Sequence, residues 1–208
     1  MAVAWTGVPY PGVEFVEVTF EADRLRAAGV AVRAAPLLYR LDYQLETTAG
    51  FVTSALHVDV HGQGWRRRLE IRRSPSGTWT ARTAASGDVD LPAPGGDLSG
   101  LVTALDCDLG LSPLTNTMPV LRRDLLDGAG TVEFLMAWVA VPELTVSPQR
   151  QRYISMPPAP AGRVVRFESV DDDFVADLTF DEHGLVVDYP QIAHRFTAGL
   201  DASSPGGQ

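Results

Sequence analysis

The sequence contains no lysine: all 17 basic residues are arginine, set against 26 acidic ones for a formal charge of −9. Such a balance argues against general binding to nucleic acid or to anionic membrane surfaces, both of which need net positive charge. There is a single cysteine, Cys107. It excludes an intramolecular disulfide and a cysteine-based zinc site. No apolar run approaches the roughly 20 residues needed to cross a bilayer as a helix. The start, MAVAWTGVPYPG, lacks the basic and apolar regions of a signal peptide. The expectation is a cytoplasmic protein without stable membrane insertion. Several catalytic signatures are also missing, among them a G-x-S-x-G elbow, a phosphate-binding glycine loop and H-E-x-x-H.

What is present is alternation. In Leu37–Glu46, Leu37, Tyr39, Leu41, Tyr43 and Leu45 share one face and Arg40, Asp42 and Gln44 the other, the pattern of a strand buried on one side. Val52–Val60 and Trp65–Arg73 alternate likewise. Val132–Val141 is apolar on both faces, which predicts a central strand. Phe174–Phe180 adds another. Shorter candidates are Val13–Phe20, Thr78–Arg82, Val120–Leu126, Arg163–Val170 and Leu185–Tyr189. Short helices are expected at Phe20–Ala28 and Gln191–Leu200. Turn signals such as His61–Gly64, Ser74–Gly77 and Glu182–Gly184 separate the runs. The pattern predicts one all-β domain over residues 1–200, an antiparallel sheet that must coil, close or stack to cover its apolar faces. Residues 201–208 are expected to be a disordered tail.

Four groups of residues raise chemistry and are weighed against plainer readings. His57, Asp59 and His61 share a strand face. Alternate strand residues stand roughly 6.5–7 Å apart, so a wet outer face is expected rather than a metal centre. Of the five arginines in 66–73, Arg66, Arg68 and Arg72 share a face with Glu70, which suits a solvated, edge-protecting surface. Cys107, between Asp106 and Asp108, reads as a buried structural thiol flanked by outward carboxylates, which raise its pKa. Asp171–Asp173 reads as a solvated hairpin turn. The stretch 109–123, LGLSPLTNTMPVLRR, reads as neither helix nor strand. Pro113 and Pro119 stiffen it, and its hydroxyls and amide either satisfy buried backbone or form a polar mouth for a ligand.

At this stretch the sequence resembles a bacterial family of putative glycolipid-binding proteins. Four pieces carry the resemblance: 106–123 with its Thr-Asn-Thr-x-Pro, Gln151-Arg152-Tyr153, residues 167–190 ending in Gly-Leu-Val-x-Asp-Tyr-Pro, and the pair Trp65 and Trp79. Here Val120 and Leu121 separate the second proline from Arg122 and Arg123, a departure from the family pattern. The resemblance implies a spiral β-roll or half-barrel around an apolar interior, similar in shape to lipoprotein carriers. The function it implies is non-enzymatic binding of a lipid or glycolipid, with no cofactor and no nucleic acid. The polar head is assigned to Thr115, Asn116, Thr117, Arg122 or Arg123, beside Gln151 and Tyr153. Tyr39, Tyr43, Phe134, Met136, Trp138 and Phe174 form either the apolar lining or plain core. Two other readings stand beside this one: a hydrolase acting on a lipid-like substrate, and an interaction module whose groove is filled.

Overall fold

The computed structural model describes residues 1–128, 130–157 and 162–196. The expected tail at 201–208 and the end of the helix expected at 191–200 lie outside them. Fourteen strands form one sheet. The first half is a meander of β1 (Ala2–Gly7), β2 (Gly12–Glu21), β3 (Arg24–Arg33), β4 (Tyr39–Thr47), β5 (Thr53–Gly62), β6 (Trp65–Arg73) and β7 (Trp79–Gly87). The chain then crosses to the far edge and meanders back through β8 (Asp106–Leu109), β9 (Thr131–Val139), β10 (Val146–Ser155), β11 (Arg163–Ser169), β12 (Val175–Phe180), β13 (Val186–Tyr189) and β14 (Ala193–Arg195). The strand order is 7-6-5-4-3-2-1-14-13-12-11-10-9-8. Every pairing is antiparallel except β8 with β9, so the sheet is mixed by one pair.

The sheet curls but does not close. The β8 edge approaches β5 across the curl. The Thr53 amide at the start of β5 donates to Leu105 O at 3.0 Å, and Thr53 Oγ1 accepts from the Cys107 amide at 3.0 Å. No helix among the described residues is long and apolar enough to cross a membrane.

The interior is filled from within. Pro113–Asn116 forms a 3-10 turn and Thr117–Arg122 the helix α1. Residues 112–120 are all buried. The stretch that reads as neither helix nor strand is therefore a short helical plug. Leu101, Ala104, Cys107, Leu109, Leu114 and Met118 pack against the inward faces of β1–β6 in one core. Val120 and Leu125 pack against Met136, Tyr153, Phe167, Leu178 and Phe180 in a second. The interior of the curl beside β1–β6 is thus occupied by the chain's own residues.

Three local expectations are corrected. Val120–Leu126 is helix and turn, because Pro119 sits in the first helical turn, where an amide would have no intrahelical partner. The helix expected at 20–28 is the end of β2 and the start of β3. Leu25, Ala27 and Ala31 alternate inward there, and at Gly29 a Cβ would stand 2.3 Å from the Tyr43 ring. The start of the helix expected at 191–200 is β14. On the outer face Asp59 is paired with Arg66 and Arg68, and Glu70 with Arg72. Arg67 points inward and donates to Leu91 O, Pro92 O and Glu143 O. Trp65 is buried, 6% exposed.

Candidate functional site

A cleft of about 420 Å³ opens between the plug and the second half of the sheet, within the range of small-molecule sites. Its lining has an aromatic wall and a polar wall, which meet where Asp108 stands beside Trp138 in the β8–β9 register. One is aromatic and apolar: Trp138 of β9, Phe167 of β11, Phe174, Tyr189 of β13, Tyr10 and Ile192. The rings pack edge to face, with centroids of Phe167 6.0 Å from both Phe174 and Tyr189. Arrangements of this kind add roughly 0.5–1.5 kcal/mol per pair beyond burial. The second wall is polar, formed by Asp108, Ser112, Asn116, Glu143, Gln149 and Asp172.

The polar wall is a hydrogen-bonded ladder. Asp108 Oδ1 accepts from Thr115 Oγ1 at 2.7 Å and Oδ2 from Gln151 Nε2 at 2.6 Å. Gln151 Nε2 also donates to Gln149 Oε1 at 2.7 Å. Tyr153 Oη donates to Gln151 Oε1 at 3.1 Å and accepts from Asn116 Nδ2 at 2.9 Å. Gln149, Gln151 and Tyr153 alternate along β10 and so share one face. Burial pushes the Asp108 carboxyl above its usual range, against the bonds from Thr115 and Gln151. At the back of the cleft Leu111 stands at φ 64°, the left-handed region, with its carbonyl held by Arg33 at 3.2 Å. Such strain persists where surrounding contacts enforce it.

A second buried cluster backs the first. Glu14 accepts from Tyr43 Oη at 2.8 Å and Ser112 Oγ at 2.6 Å, with Arg33 at 3.8 Å. The void beside it, about 10 Å³, is room for roughly one water.

Of the residues singled out in the sequence, Asn116, Trp138 and Phe174 line the cleft. Thr115, Gln151 and Tyr153 stand one hydrogen bond behind its polar wall. Thr117 is fully buried and its hydroxyl has no partner among the described residues. Tyr39 and Tyr43 belong to the first core, and Met136 to the second. Arg122 makes a two-pronged ion pair with Asp106 and lies over the Phe134 ring at 5.4 Å. Arg122, Arg123 and Phe134 line a separate depression of about 500 Å³. Cys107 is buried as expected, and burial pushes its thiol up to about 12. Its neighbours do not point outward: Asp106 is fully buried against Arg122, and Asp108 is the floor of the ladder.

Asp108, Gln149, Glu143 and Asp172 were not singled out as site residues. Gln149 shares the face of Gln151 and Tyr153, a two-residue period that Pro148 masks. Glu143 and Asp172 arrive on turns, and nothing in local sequence points them inward.

The family model described as "Putative glycolipid-binding" matches residues 2–195. The chain belongs to that family. A DUF1089 family protein from Pseudomonas aeruginosa, solved by crystallography, is similar over 88% of this chain and 92% of its own, at 25% identity and a TM-score of 0.66. No curated protein matches the chain. The glycolipid-binding family membership supports a binding role in general and leaves the ligand and its place to the geometry.

Proposed function

We propose that this protein binds an amphiphile, non-enzymatically, in the cleft lined by Trp138 and the Asp108–Gln151 ladder. The observation that carries the reading is a cleft in which aromatic rings adjoin hydrogen-bonding side chains. An apolar chain would lie against Trp138, Phe167 and Phe174, with its polar head toward Asn116, Gln149 and Asp108. Burying eight methylenes would supply roughly 6 kcal/mol. Two or three neutral hydrogen bonds would add about 0.5–1.5 kcal/mol each. The chain therefore supplies affinity and the ladder supplies orientation. Thr115, Gln151 and Tyr153 act by holding Asp108 and Asn116 in place. Arg122 and Arg123 have no part at this cleft, because one is paired with Asp106 and both face the other depression.

Native mass spectrometry of protein purified from its own host, followed by solvent extraction, tests the proposal. A co-purifying amphiphile, together with displacement of a fluorescent acyl probe that changes Trp138 emission, is the expected result. Repeated recovery of empty protein that binds no acyl probe would end it.

A further inference from the structure

We infer that the cleft selects amphiphiles by head-group charge, taking a head that donates hydrogen bonds and rejecting an anionic one. This rests on the reading above. Three carboxylates, Asp108, Glu143 and Asp172, line the cleft, and no arginine or histidine does. The neighbouring cations are consumed elsewhere. Arg33 is tied to Glu14 and the Leu111 carbonyl, Arg150 to Asp171, and Arg122 to Asp106.

The hydrogen bonds on the polar wall leave charged acceptors open beside donors that are partly used. Asn116 Nδ2 spends one of its two hydrogens on Tyr153 and Gln149 Nε2 one of its two on Asp172 at 3.4 Å, while Ser112 Oγ is spent on Glu14. Acceptors are left open. Glu143 has no side-chain partner among the described residues, and its carbonyl alone is used, by Arg67. Asp172 Oδ2 receives only the long bonds from Gln149 and from Ser169 at 3.2 Å. An ionised carboxylate accepts and cannot donate. Hydroxyl or ammonium groups therefore complete this wall, and a carboxylate or sulfate head meets acceptors and like charge.

The test uses the full chain at pH 8 and three amphiphiles with the same dodecyl chain, below their micelle concentrations: dodecyl glucoside, dodecylammonium and dodecanoate. Binding is read by titration calorimetry. The expected order has dodecanoate at least tenfold weaker than dodecyl glucoside, and dodecylammonium no weaker than the glucoside. A double variant, Glu143→Gln with Asp172→Asn, narrows the dodecanoate-to-glucoside ratio at least threefold. A control removing two exposed charges on outward strand faces, Glu17→Gln with Glu46→Gln, leaves the ratio within twofold, which separates a local effect from the net charge of −9. Equal binding of all three heads, or equal narrowing by both double variants, overturns the inference alone. Binding of none of the three overturns the cleft reading and the inference with it.

Discussion

Asp108 gives the sharpest test of how the polar wall is built. Its two oxygens accept from Thr115 and Gln151 at 2.7 and 2.6 Å. Asp108→Ala removes both bonds. Hydrogen bonds to a charged group contribute about 1.5–3 kcal/mol each. The alanine variant also escapes the cost of desolvating a carboxylate, so a net loss of about 2–4 kcal/mol is expected. Asp108→Asn is a different perturbation. Its carbonyl can keep the bond from Gln151. Its amide can donate to Thr115 Oγ1, whose own hydrogen can turn fully to Ser112 O, already at 3.3 Å. No donor is orphaned, and the expected loss is within about 1 kcal/mol at neutral pH.

The pH dependence carries a sign. Burial raises the folded-state pKa of Asp108, so the folded protein holds that proton more tightly than the unfolded chain. Its stabilising contribution is then full below the unfolded value, near about pH 4. It falls as pH rises through the folded value. Asparagine does not titrate. Urea unfolding of both proteins at pH 4.5 and pH 8 should show Asp108→Asn gaining on the parent as pH rises. If the asparagine variant loses as much as alanine, or its deficit is unchanged across that range, the ladder is wrongly described.

Three further outcomes follow from single contacts. Thr117→Val removes a buried hydroxyl that has no partner among the described residues, and it should raise the urea-derived unfolding free energy by about 1 kcal/mol. A loss of that size would mean the hydroxyl is bonded after all. Arg122→Met strands Asp106, which is fully buried, and should cost about 3–5 kcal/mol. Arg122→Met with Asp106→Leu should recover most of it, and a double-mutant cycle without coupling would contradict the pair. Trp138→Ala and Phe174→Ala, both at half-buried positions in the cleft, should each weaken dodecyl glucoside binding about tenfold in calorimetry, while unchanged affinity would remove the aromatic wall from the site.

The strands with one wet face were plain in the sequence. β4 and β5 alternate cleanly because their outer residues are polar or charged and their inner ones mostly apolar, and β6 does the same except at the inward Arg67. β10 was hidden, since Pro148 and the run Gln149–Arg152 read as loop. Its inward glutamines are polar because they face Asp108 and the cleft rather than a hydrocarbon core. The plug was read as neither helix nor strand, with hydroxyls that either satisfy buried backbone or form a polar mouth. In the fold it is short helix, and Thr115 accepts from the buried Leu109 amide and donates to Asp108. Polar residues placed inside for a site defeat a reading in which polarity marks the surface. Asn116 and Trp138 line the cleft; the first was singled out in a stiff polar stretch that carries the family resemblance, the second in a strand apolar on both faces. Glu143 and Asp172 were missed because turn carboxylates are ordinary, and only the curl of the sheet brings them to one opening.

That curl also ties the site to the stability of the whole domain. The segment that packs Leu109, Leu114 and Met118 into the first core carries Asp108, Ser112 and Asn116 on its other side. Thr53 grips it from β5, through the Cys107 amide and thiol and the Met118 sulfur. Moving the polar wall would mean withdrawing those side chains from a packed core, at several kcal/mol for each large one. Asp108, Ser112 and Asn116 are thus held in place by the core, and a ligand bound as proposed would not supply the cost of ordering them. Glu143 and Asp172 stand on turns outside that segment, and Asp172 is exposed, so on the proposed reading these two carboxylates are the part of the polar wall that the core does not fix.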